Sequence, residues 1–393
     1  MKVTFISNYL THHQEPFLRA LSEMEEVEPC FISTQEMDDE RVQMGWNSGS
    51  AMVEIKAYMG DAEKKQAMRL ANDSEVVIIG SAPDAYIIPR LKAGKLTFKY
   101  SERFYKQGLP LKKFPHAIVG AWLHHGRFQK YPLYMLCASA FTAGDAAVFH
   151  NYIGRTYKWG YFPEEKHYNV DAFMEKKQGL KHPCASILWA GRLIGLKHPD
   201  ASIRLAETLK QQGYSFKLSI IGNGSMEQEL HRMISEKKLE DCVEMLGAMS
   251  PEKVREHMEK ADIFLFTSDF NEGWGAVLNE SMNSGCAVVA SHAIGSVPFL
   301  IRNGENGLIY ENGNEMDLQQ QVIRLLENPS LRVELGRNAY QTMAQMWNAE
   351  NAAKRFMKLA GTLLEGKNPE NLFDDGPCSK AEILKNGWYT KAE

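Results

Sequence analysis

Residues 261–280 read ADIFLFTSDFNEGWGAVLNE. An apolar run, a glycine-containing turn and a helical pattern in this order form the repeating unit of a parallel α/β sheet. Gly273 and Gly275 allow the backbone to approach a ligand, and a helix beginning near Gly275 would direct unpaired N–H groups at it. Glu272 and Glu280 are separated by about 12 Å of helical rise. They therefore fit the two ends of an extended ligand. From this stretch alone it is equally well supported that Glu272 caps the helix and that Glu280 is a surface residue.

The same unit recurs throughout the chain. In the second half, apolar runs that alternate with amphipathic helices predict six strands: SILWAG (186–191), FKLSIIG (216–222), VEMLG (243–247), IFLFTS (263–268), CAVVAS (286–291) and GLIY (307–310). In the first half they predict five: KVTFIS (2–7), EPCFIS (28–33), EVVIIG (75–80), KLTFKY (95–100) and AAVFH (146–150). Ser250 followed by Pro251 predicts a capped helix start. We therefore expect an α/β fold with parallel layers throughout and a doubly wound sheet in the second half.

The length of 393 residues exceeds one compact core. Between residues 161 and 186, prolines and a charged run interrupt the periodicity. We therefore expect one domain over residues 1–180 and a second over residues 181–345. Residues 346–393 predict one helix followed by a polar tail.

The composition is 44% hydrophobic and 24% charged, with a net charge of −4, which is typical of globular proteins. No apolar run reaches the roughly 18 residues of a membrane span, and the start MKVTFISNYL lacks a cleavable apolar region, so we expect a cytoplasmic protein. Six cysteines are spread singly and no Asp-x-Asp sequence occurs. The sequence therefore predicts neither a disulfide framework nor a metal site.

Residues 86–144 carry ten basic residues against a single acid, Glu102, and aromatic residues lie between them. Such a stretch can bind an anionic membrane surface or a phosphorylated lipid, and it can also bind nucleic acid. A solvated face without a partner explains it equally well. The sequence leaves these interpretations open.

Ligands of open parallel sheets bind beyond the carboxyl ends of the strands. Arg192 and Lys197 follow the run SILWAG, and together they can offset the charges of a diphosphate. The turn Gly222-Asn223-Gly224 follows FKLSIIG and lacks the third glycine of a dinucleotide-binding loop. Each feature alone is also typical of an ordinary surface turn, but all of them are predicted at the same edge of the sheet.

Together these motifs resemble the retaining GT-B glycosyltransferases of family 4. The resemblance rests on the Arg192 and Lys197 segment, the IGNG turn (221–224) and EGWGAVLNESMNSGCAVVA (272–290), and it covers about residues 186–345. It implies two facing Rossmann-like domains with a deep interdomain cleft. The N-terminal domain would bind the acceptor and the second domain the nucleotide sugar, while the last helix would cross back to the first domain.

The resemblance also implies roles for single residues. Arg192 and Lys197 should contact the diphosphate, Glu280 the ribose and Glu272 the transferred sugar. The remaining donor-binding positions are turns and backbone around them: Gly222, Asn223, Gly224, Gly247, Ala248, Gly273, Trp274 and Gly275.

The N-terminal half departs from the family pattern. Many relatives carry a glycine-rich loop after the first strand, whereas this chain has NYLTHHQEPFL (8–18), in which His12 and His13 fit a phosphate, the acceptor or a turn cap. Relatives also often carry a histidine just after a middle strand of the first domain. In this chain KLTFKY (95–100) is followed by Ser101 and Glu102 instead. Glu102 is therefore a candidate contact for donor or acceptor, or a partner of Arg103 or Lys106 on a helical face. Four further histidines are unranked alternatives: His116, His124, His125 and His150.

We accordingly predict a metal-independent hexosyltransferase without a cofactor that moves a sugar, with retention, from a nucleoside diphosphate to an acceptor hydroxyl. A UDP-sugar is favoured over a GDP-sugar as donor, and a glycan or a lipid-linked saccharide of a bacterial surface polysaccharide or glycolipid as acceptor. The enzyme would be cytoplasmic, or peripheral at the inner face of the membrane, and no nucleic acid partner is expected. The alternatives are a nucleotide-sugar epimerase of the same architecture, a nicotinamide dehydrogenase and a non-catalytic nucleic-acid-binding module that uses residues 86–144.

Overall fold

The computed structural model describes residues 1–38, 53–109, 113–179 and 184–390. These residues form two parallel sheets, each with helices packed around it. The chain divides into two compact units. The first unit is Met1–Glu164 with Met346–Lys385, and the second is Glu165–Gln345 with Asn386–Glu393.

The first unit is built on a seven-stranded sheet with the order β3-β2-β1-β4-β5-β6-β7. Its strands are β1 Lys2–Ser7, β2 Glu28–Ser33, β3 Glu54–Lys56, β4 Val76–Ile79, β5 Thr97–Ser101, β6 Leu133–Cys137 and β7 Thr156–Lys158. Its described α-helices are Glu15–Ser22, Asp61–Asp73, Ile88–Lys92, Phe114–His124, Thr142–Ala147 and Ala349–Leu364. All neighbouring strands pair in parallel, as the alternation of strands and helices in the sequence predicts.

The sequence misplaced part of this first sheet. The run AAVFH at 146–150 was expected to be a strand, but the helix Thr142–Ala147 ends there, so this prediction is wrong. The sixth strand is instead the apolar run Leu133–Cys137. Short apolar runs fit a buried helix as well as a buried strand, so periodicity does not separate them.

The second unit is built on a six-stranded parallel sheet with the order β10-β9-β8-β11-β12-β13. Its strands are β8 Ala185–Ala190, β9 Phe216–Ile221, β10 Val243–Gly247, β11 Ile263–Phe266, β12 Ala287–Ser291 and β13 Leu308–Tyr310. Its described α-helices are Val170–Gly179, Pro199–Gln211, Glu227–Glu236, Pro251–Lys260, Val277–Asn283, Val297–Leu300, Glu315–Glu327 and Pro329–Gln345. Each of the six runs predicted to be strands contains a strand. The predicted cap is confirmed because the Ser250 hydroxyl accepts from the Lys253 N–H at 3.4 Å.

The expected domain boundary at residue 180 lies among residues 180–183, outside the described residues. On its N-terminal side, the helix Val170–Gly179 groups with the second unit. Its Lys177 is buried, and Nζ donates to the Ser284 carbonyl at 2.8 Å. Residues 165–179 are therefore part of the second unit.

The helix Ala349–Leu364 groups with the first unit, although it follows the second unit in the sequence. Phe356 on this helix is fully buried and packs against Phe17, Phe98 and Trp159, with ring centroids 5.2–5.9 Å apart. Burial of each such side chain stabilises the folded state by about 1.5–3 kcal/mol. The first unit is thus completed by the C-terminal part of the chain. No helix in the described parts of the chain has the length and apolarity needed to cross a bilayer.

Candidate functional site

The candidate site lies at the carboxyl edge of the second sheet. Strand β8 lies between β9 and β11, so the loops that follow these three strands are neighbours. These loops carry the segment from Arg192 to Lys197, the turn Gly222-Asn223-Gly224 and the segment around Glu272. The fold therefore brings together the three segments that the sequence predicted at one edge.

Two glycines allow the loops after β8 and β9 to pack backbone against backbone. Gly222 and Gly224 have φ angles of 143° and 154°, which side chains rarely permit. A Cβ atom on either residue would overlap the carbonyl oxygen of Gly191 or Leu193, respectively. The Leu193 N–H also donates to the Asn223 carbonyl at 2.8 Å. The glycine requirement at these two positions therefore comes from the contact between the two loops.

The turn after β10 continues the same edge. The Gly222 N–H donates to the Gly247 carbonyl at 2.9 Å, and Gly247 has a φ of 71°. Ala248 follows with its side chain exposed. Gly247 and Ala248 thus lie next to the glycine turn, and their contact with a nucleotide base stays a prediction.

Lys197 and Glu272 form an ion pair at the centre of the edge. Lys197 Nζ donates to Glu272 Oε2, and the two side chains are only 15% and 13% exposed. The Ser268 hydroxyl donates to the same Oε2 at 3.0 Å. Arg192 lies exposed on the loop that carries Lys197. The edge therefore presents two cations and one carboxylate whose position is set by two donors.

Hydrogen bonds from residues just after β11 fix the turn that carries Lys197. Thr267 Oγ1 lies 2.7 Å from the Lys197 carbonyl oxygen and 3.0 Å from that of His198. The Trp189 indole N–H donates to Thr267 Oγ1 at 2.9 Å. His198 has a φ of 49°, and its Nε2 lies 3.1 Å from Asp269 Oδ2. The cation is thus held on a turn whose backbone is bonded to the neighbouring strand end.

The Glu-Gly-Trp-Gly segment has a structural role as well as a place in the site. Trp274 is fully buried, and its indole N–H donates to Asn279 Oδ1 at 2.9 Å. Gly275 has a φ of 80°, and a Cβ there would overlap the ring of Phe266. Gly273 is buried beside them. Glu272 offers its side chain as a candidate ligand contact, whereas Gly273, Trp274 and Gly275 offer only their backbone, because the Trp274 side chain packs in the core.

Glu280 lies on the short helix Val277–Asn283 and is partly buried. Burial raises the pKa of its carboxyl, and the nearby Arg255 guanidinium opposes this shift. Arg255 is itself buried and donates to Asn283 Oδ1. A carboxylate that is costly to ionise without a ligand is suited to accept hydrogen bonds from ligand hydroxyls.

A second cluster lies at the carboxyl edge of the first sheet, after β1, β5 and β7. The Tyr161 hydroxyl donates to Glu102 Oε1 at 2.7 Å, and Lys106 Nζ lies 2.7 Å from Glu102 Oε2. The His13 ring is stacked on the Tyr161 ring with centroids 5.6 Å apart, and the centroid of the His12 ring lies 3.8 Å from that of His13. Burial lowers the pKa of both histidines. The structure therefore brings His12, His13 and Glu102 together, while Tyr161, which links them, was missed by the sequence.

Some unranked histidines belong to a different network of the first unit. Lys99 Nζ lies 2.6 Å from Asp84 Oδ1, and His124 Nδ1 lies 3.1 Å from Asp84 Oδ2. His125 Nδ1 lies 2.9 Å from the Tyr152 hydroxyl, and burial lowers the pKa of His125 to about 3. Asp84 and Tyr152 carried no sequence signal, because isolated polar residues in loops are too common to interpret.

Comparison with known proteins bears on the second unit most directly. Residues 171–342 match the family model of glycosyl transferases group 1. This chain carries a group 1 glycosyltransferase domain. The glycosyltransferase domain begins inside the helix Val170–Gly179 and includes the candidate loops of the second unit, whereas His12, His13 and Glu102 lie outside it.

Two curated relatives resemble the glycosyltransferase domain in sequence. The amylovoran biosynthesis glycosyltransferase AmsK of Erwinia amylovora is 33% identical over 160 residues, which are 39% of each chain. The N-acetylgalactosamine-N,N'-diacetylbacillosaminyl-diphospho-undecaprenol 4-alpha-N-acetylgalactosaminyltransferase of Campylobacter jejuni is 34% identical over 173 residues, 44% of this chain and 45% of the relative. The matched regions thus span less than half the length of these relatives.

Solved structures extend the likeness to nearly the whole chain, at the level of the fold alone. HepE of Anabaena, in complex with UDP, superposes with a TM-score of 0.67 at 15% identity, covering 93% of this chain and 100% of that chain. A TarM variant of S. aureus, in a complex that includes UDP, gives a TM-score of 0.63 at 12% identity, covering 91% and 99%. The two Rossmann-like sheets are therefore those of the GT-B fold, as predicted.

Proposed function

We propose that this glycosyltransferase is a retaining, family 4 type enzyme that transfers a sugar from a UDP-sugar to an acceptor hydroxyl. The observation that carries the proposal is the ion pair of Lys197 with Glu272 beside the exposed Arg192, on three adjacent strand ends of the group 1 domain. This arrangement offers cations for a diphosphate and a carboxylate for sugar hydroxyls within one edge. The first unit would bind the acceptor.

Charge development explains why the two cations would accelerate transfer. As the bond between the anomeric carbon and the diphosphate oxygen breaks, negative charge grows on the leaving group. Lys197 and Arg192 stabilise that charge more in the transition state than in the bound donor, which is the requirement for catalysis. We propose that these side chains take the charge-neutralising role without a metal ion. The described residues contain no group of three histidine, cysteine or acidic side chains that could hold one.

The carboxylates divide between the two ends of the donor. Glu272, already bonded to Lys197 and Ser268, is set to accept from hydroxyls of the transferred sugar. Glu280, whose pKa is raised by burial, would accept from the ribose hydroxyls. Retention requires the acceptor oxygen to bond to the anomeric carbon on the face that the diphosphate leaves. The departing phosphate oxygen then takes the acceptor proton, so no protein nucleophile is needed.

The acceptor class is supported by what the relatives are named for. One is named for amylovoran biosynthesis and another for a diphospho-undecaprenol-linked saccharide. We propose by analogy that this enzyme extends a glycan or a lipid-linked saccharide in the synthesis of a bacterial surface polysaccharide or glycolipid. Work at such an acceptor would place the first unit at the inner face of the membrane, as a peripheral protein.

Donor binding and donor chemistry can be tested without knowing the acceptor. UDP and GDP are titrated against the protein by calorimetry, with Lys197→Met and Arg192→Ala beside the matched surface control Lys354→Ala. Lys354 pairs with Glu350 on the solvent-exposed side of the helix Ala349–Leu364. We expect UDP to bind more tightly than GDP, and both site variants to weaken UDP binding while the control does not. Chelator should leave UDP affinity unchanged. Equal affinity in wild type and both variants would remove the diphosphate role.

The reaction class is tested by proton NMR of UDP-sugars incubated with the enzyme. A glycosyltransferase releases UDP slowly by hydrolysis and faster when a hydroxyl acceptor is added, and the new bond keeps the anomeric configuration of the donor. Interconversion of the donor into an epimer without UDP release would instead identify an epimerase. Salt-dependent binding to DNA or RNA without UDP release would identify a nucleic-acid-binding module.

A further inference from the structure

The helix Phe114–His124 of the first unit has its large apolar side chains in solvent. Phe114, Ile118, Val119, Trp122 and Leu123 are 38–58% exposed. A surface helix of a globular protein normally turns its apolar stripe to the core. In this helix the arrangement is reversed, so its outer face requires an explanation.

The inward face of this helix is made of small residues. Ala121 is buried, and Ala117 and Gly120 are half-buried. At 100° per residue, the five large side chains span an arc of about 180°, and the small residues lie on the opposite side. The helix thus meets the unit through Ala121, which is its buried residue, and turns the five large apolar side chains outward as a surface that we call the outer apolar face.

The outer apolar face is held in place by its neighbours. At the end of the helix, Lys99 Nζ donates to the His124 carbonyl at 2.6 Å, and the His124 ring lies 3.1 Å from Asp84. At its start, the ring of Phe114 lies 5.5 Å from that of Phe149. A face fixed in this way keeps its exposure without a large conformational cost, which favours binding to a preexisting surface.

The charged residues that flank this helix in the sequence are positive. No acidic residue occurs from residue 103 to residue 144. Lys113 precedes the helix, and Arg127 and Lys130 follow it, all three with exposed side chains. The other described cations of this segment are engaged elsewhere, because Arg103 pairs with Asp145 and Lys106 with Glu102. An apolar face with cations at both ends of its helix is complementary to an anionic lipid surface.

We infer that the outer apolar face inserts into the headgroup region of an anionic bilayer, with Lys113, Arg127 and Lys130 at the phosphates. This inference rests on the proposed function and deepens it, since it assigns the surface by which the first unit would meet a lipid-linked acceptor. A symmetric dimer through the same face would bring like charges of two copies together, which opposes it. A nucleic acid would leave the aliphatic side chains without a partner. A bilayer satisfies both the apolar face and the cations.

Vesicle co-sedimentation tests the inference with the whole protein. Vesicles of phosphatidylglycerol and phosphatidylcholine in equal parts are compared with vesicles of phosphatidylcholine alone, at low and high salt. The apolar variant is Val119→Glu with Trp122→Glu, and the matched control is Ile383→Glu with Met316→Glu, since these two residues are 60% and 72% exposed elsewhere. We expect the apolar variant to bind anionic vesicles at least tenfold more weakly and the control to bind like wild type. Charge reversal at Lys113, Arg127 and Lys130 should abolish the preference for anionic vesicles.

A second measurement locates the contact in the wild-type protein. Lipids brominated near the headgroup quench tryptophan fluorescence at short range, and Trp122→Phe should lose that quenching while it still binds vesicles. Vesicle binding by the apolar variant equal to wild type, or quenching that persists in Trp122→Phe, would overturn the inference. A wild-type dimer that the apolar variant converts to a monomer, with vesicle binding unchanged, would also overturn it.

The same samples separate this inference from the proposed function. UDP titration reports on the second unit, which carries none of the substituted helix residues. Loss of vesicle binding with normal UDP affinity is the expected result for the apolar variant. Vesicle binding by a wild-type protein that does not bind UDP would refute the donor assignment alone.

Discussion

The substitution Lys197→Met should destabilise the second unit and remove its turnover, and the structure gives the size of both effects. Glu272 would keep only the hydroxyl of Ser268, 3.0 Å away, in a position where its side chain is 13% exposed. Removing one partner of a fully buried pair costs about 3–5 kcal/mol. Water reaches this pair at its edge, so we expect a loss of about 1–3 kcal/mol in the free energy of unfolding.

Catalysis should fall further than stability. Removing one preorganised donor that faces developing charge lowers turnover by about 10² or more, and we expect this for Lys197→Met and for Arg192→Ala. Urea unfolding reports the stability, and UDP release from a UDP-sugar with a hydroxyl acceptor reports the turnover. The matched control Lys354→Ala should change neither quantity.

The double variant Lys197→Met with Glu272→Gln separates the two effects. It removes the carboxylate charge that the single variant leaves unpaired, so most of the lost stability should return while turnover stays low. If Lys197→Met unfolds like wild type and its turnover lies within threefold of wild type, the ion pair has neither of the roles assigned to it.

Three further outcomes follow from the geometry. Burial raises the pKa of Glu280, so the folded state loses stability as pH rises through the ordinary range of a glutamate, and Glu280→Gln should be more stable than wild type in urea unfolding from pH 4 to 7. The same variant should bind UDP more weakly in calorimetry, and unchanged UDP affinity would argue against the ribose contact. Burial lowers the pKa of His125 from 6.5 to about 3, so the wild type should lose about 1–2 kcal/mol of unfolding free energy as pH falls from 6.5 to 5. The unfolding free energy of His125→Phe should depend less on pH over this range, and an equal dependence in both proteins would exclude His125 as its cause. Glu102→Gln should lower acceptor-dependent UDP release while UDP affinity stays normal, and the control Lys106→Ala should affect release less; equal effects would assign Glu102 to the local ion pair.

The sequence predicted the second sheet more fully than the first, for a physical reason. In the second half β8, β9, β10 and β13 are each followed by an amphipathic helix, so the apolar period changes clearly there to 3.6 residues. In the first half the apolar run at 146–150 is the end of a helix, and β7 is only three residues long, Thr156–Lys158. Its pairing with β6 is long-range information that a local pattern does not contain.

Residue types and positions predicted the parts of the site, but not their contacts. The order of the strands could be expected from the fold, so Arg192, Lys197 and Glu272 were correctly predicted to lie at one edge. The ion pair of Lys197 with Glu272 joins residues far apart in sequence, and no local signal announces it. For the same reason the burial of the Trp274 side chain was not predicted, and Tyr161 was not singled out at all.

The backbone contact of Gly222 and Gly224 with residues 191 and 193 has a consequence for engineering this protein. The two loops behave as a single rigid part, so a change of length or of a glycine in either would displace Arg192 along with it. Most variants in these two loops would therefore disturb the position of Arg192 without altering the choice of donor. Variation is better confined to exposed side chains after β10, such as Ala248, because residues after β11 hold the turn that carries Lys197.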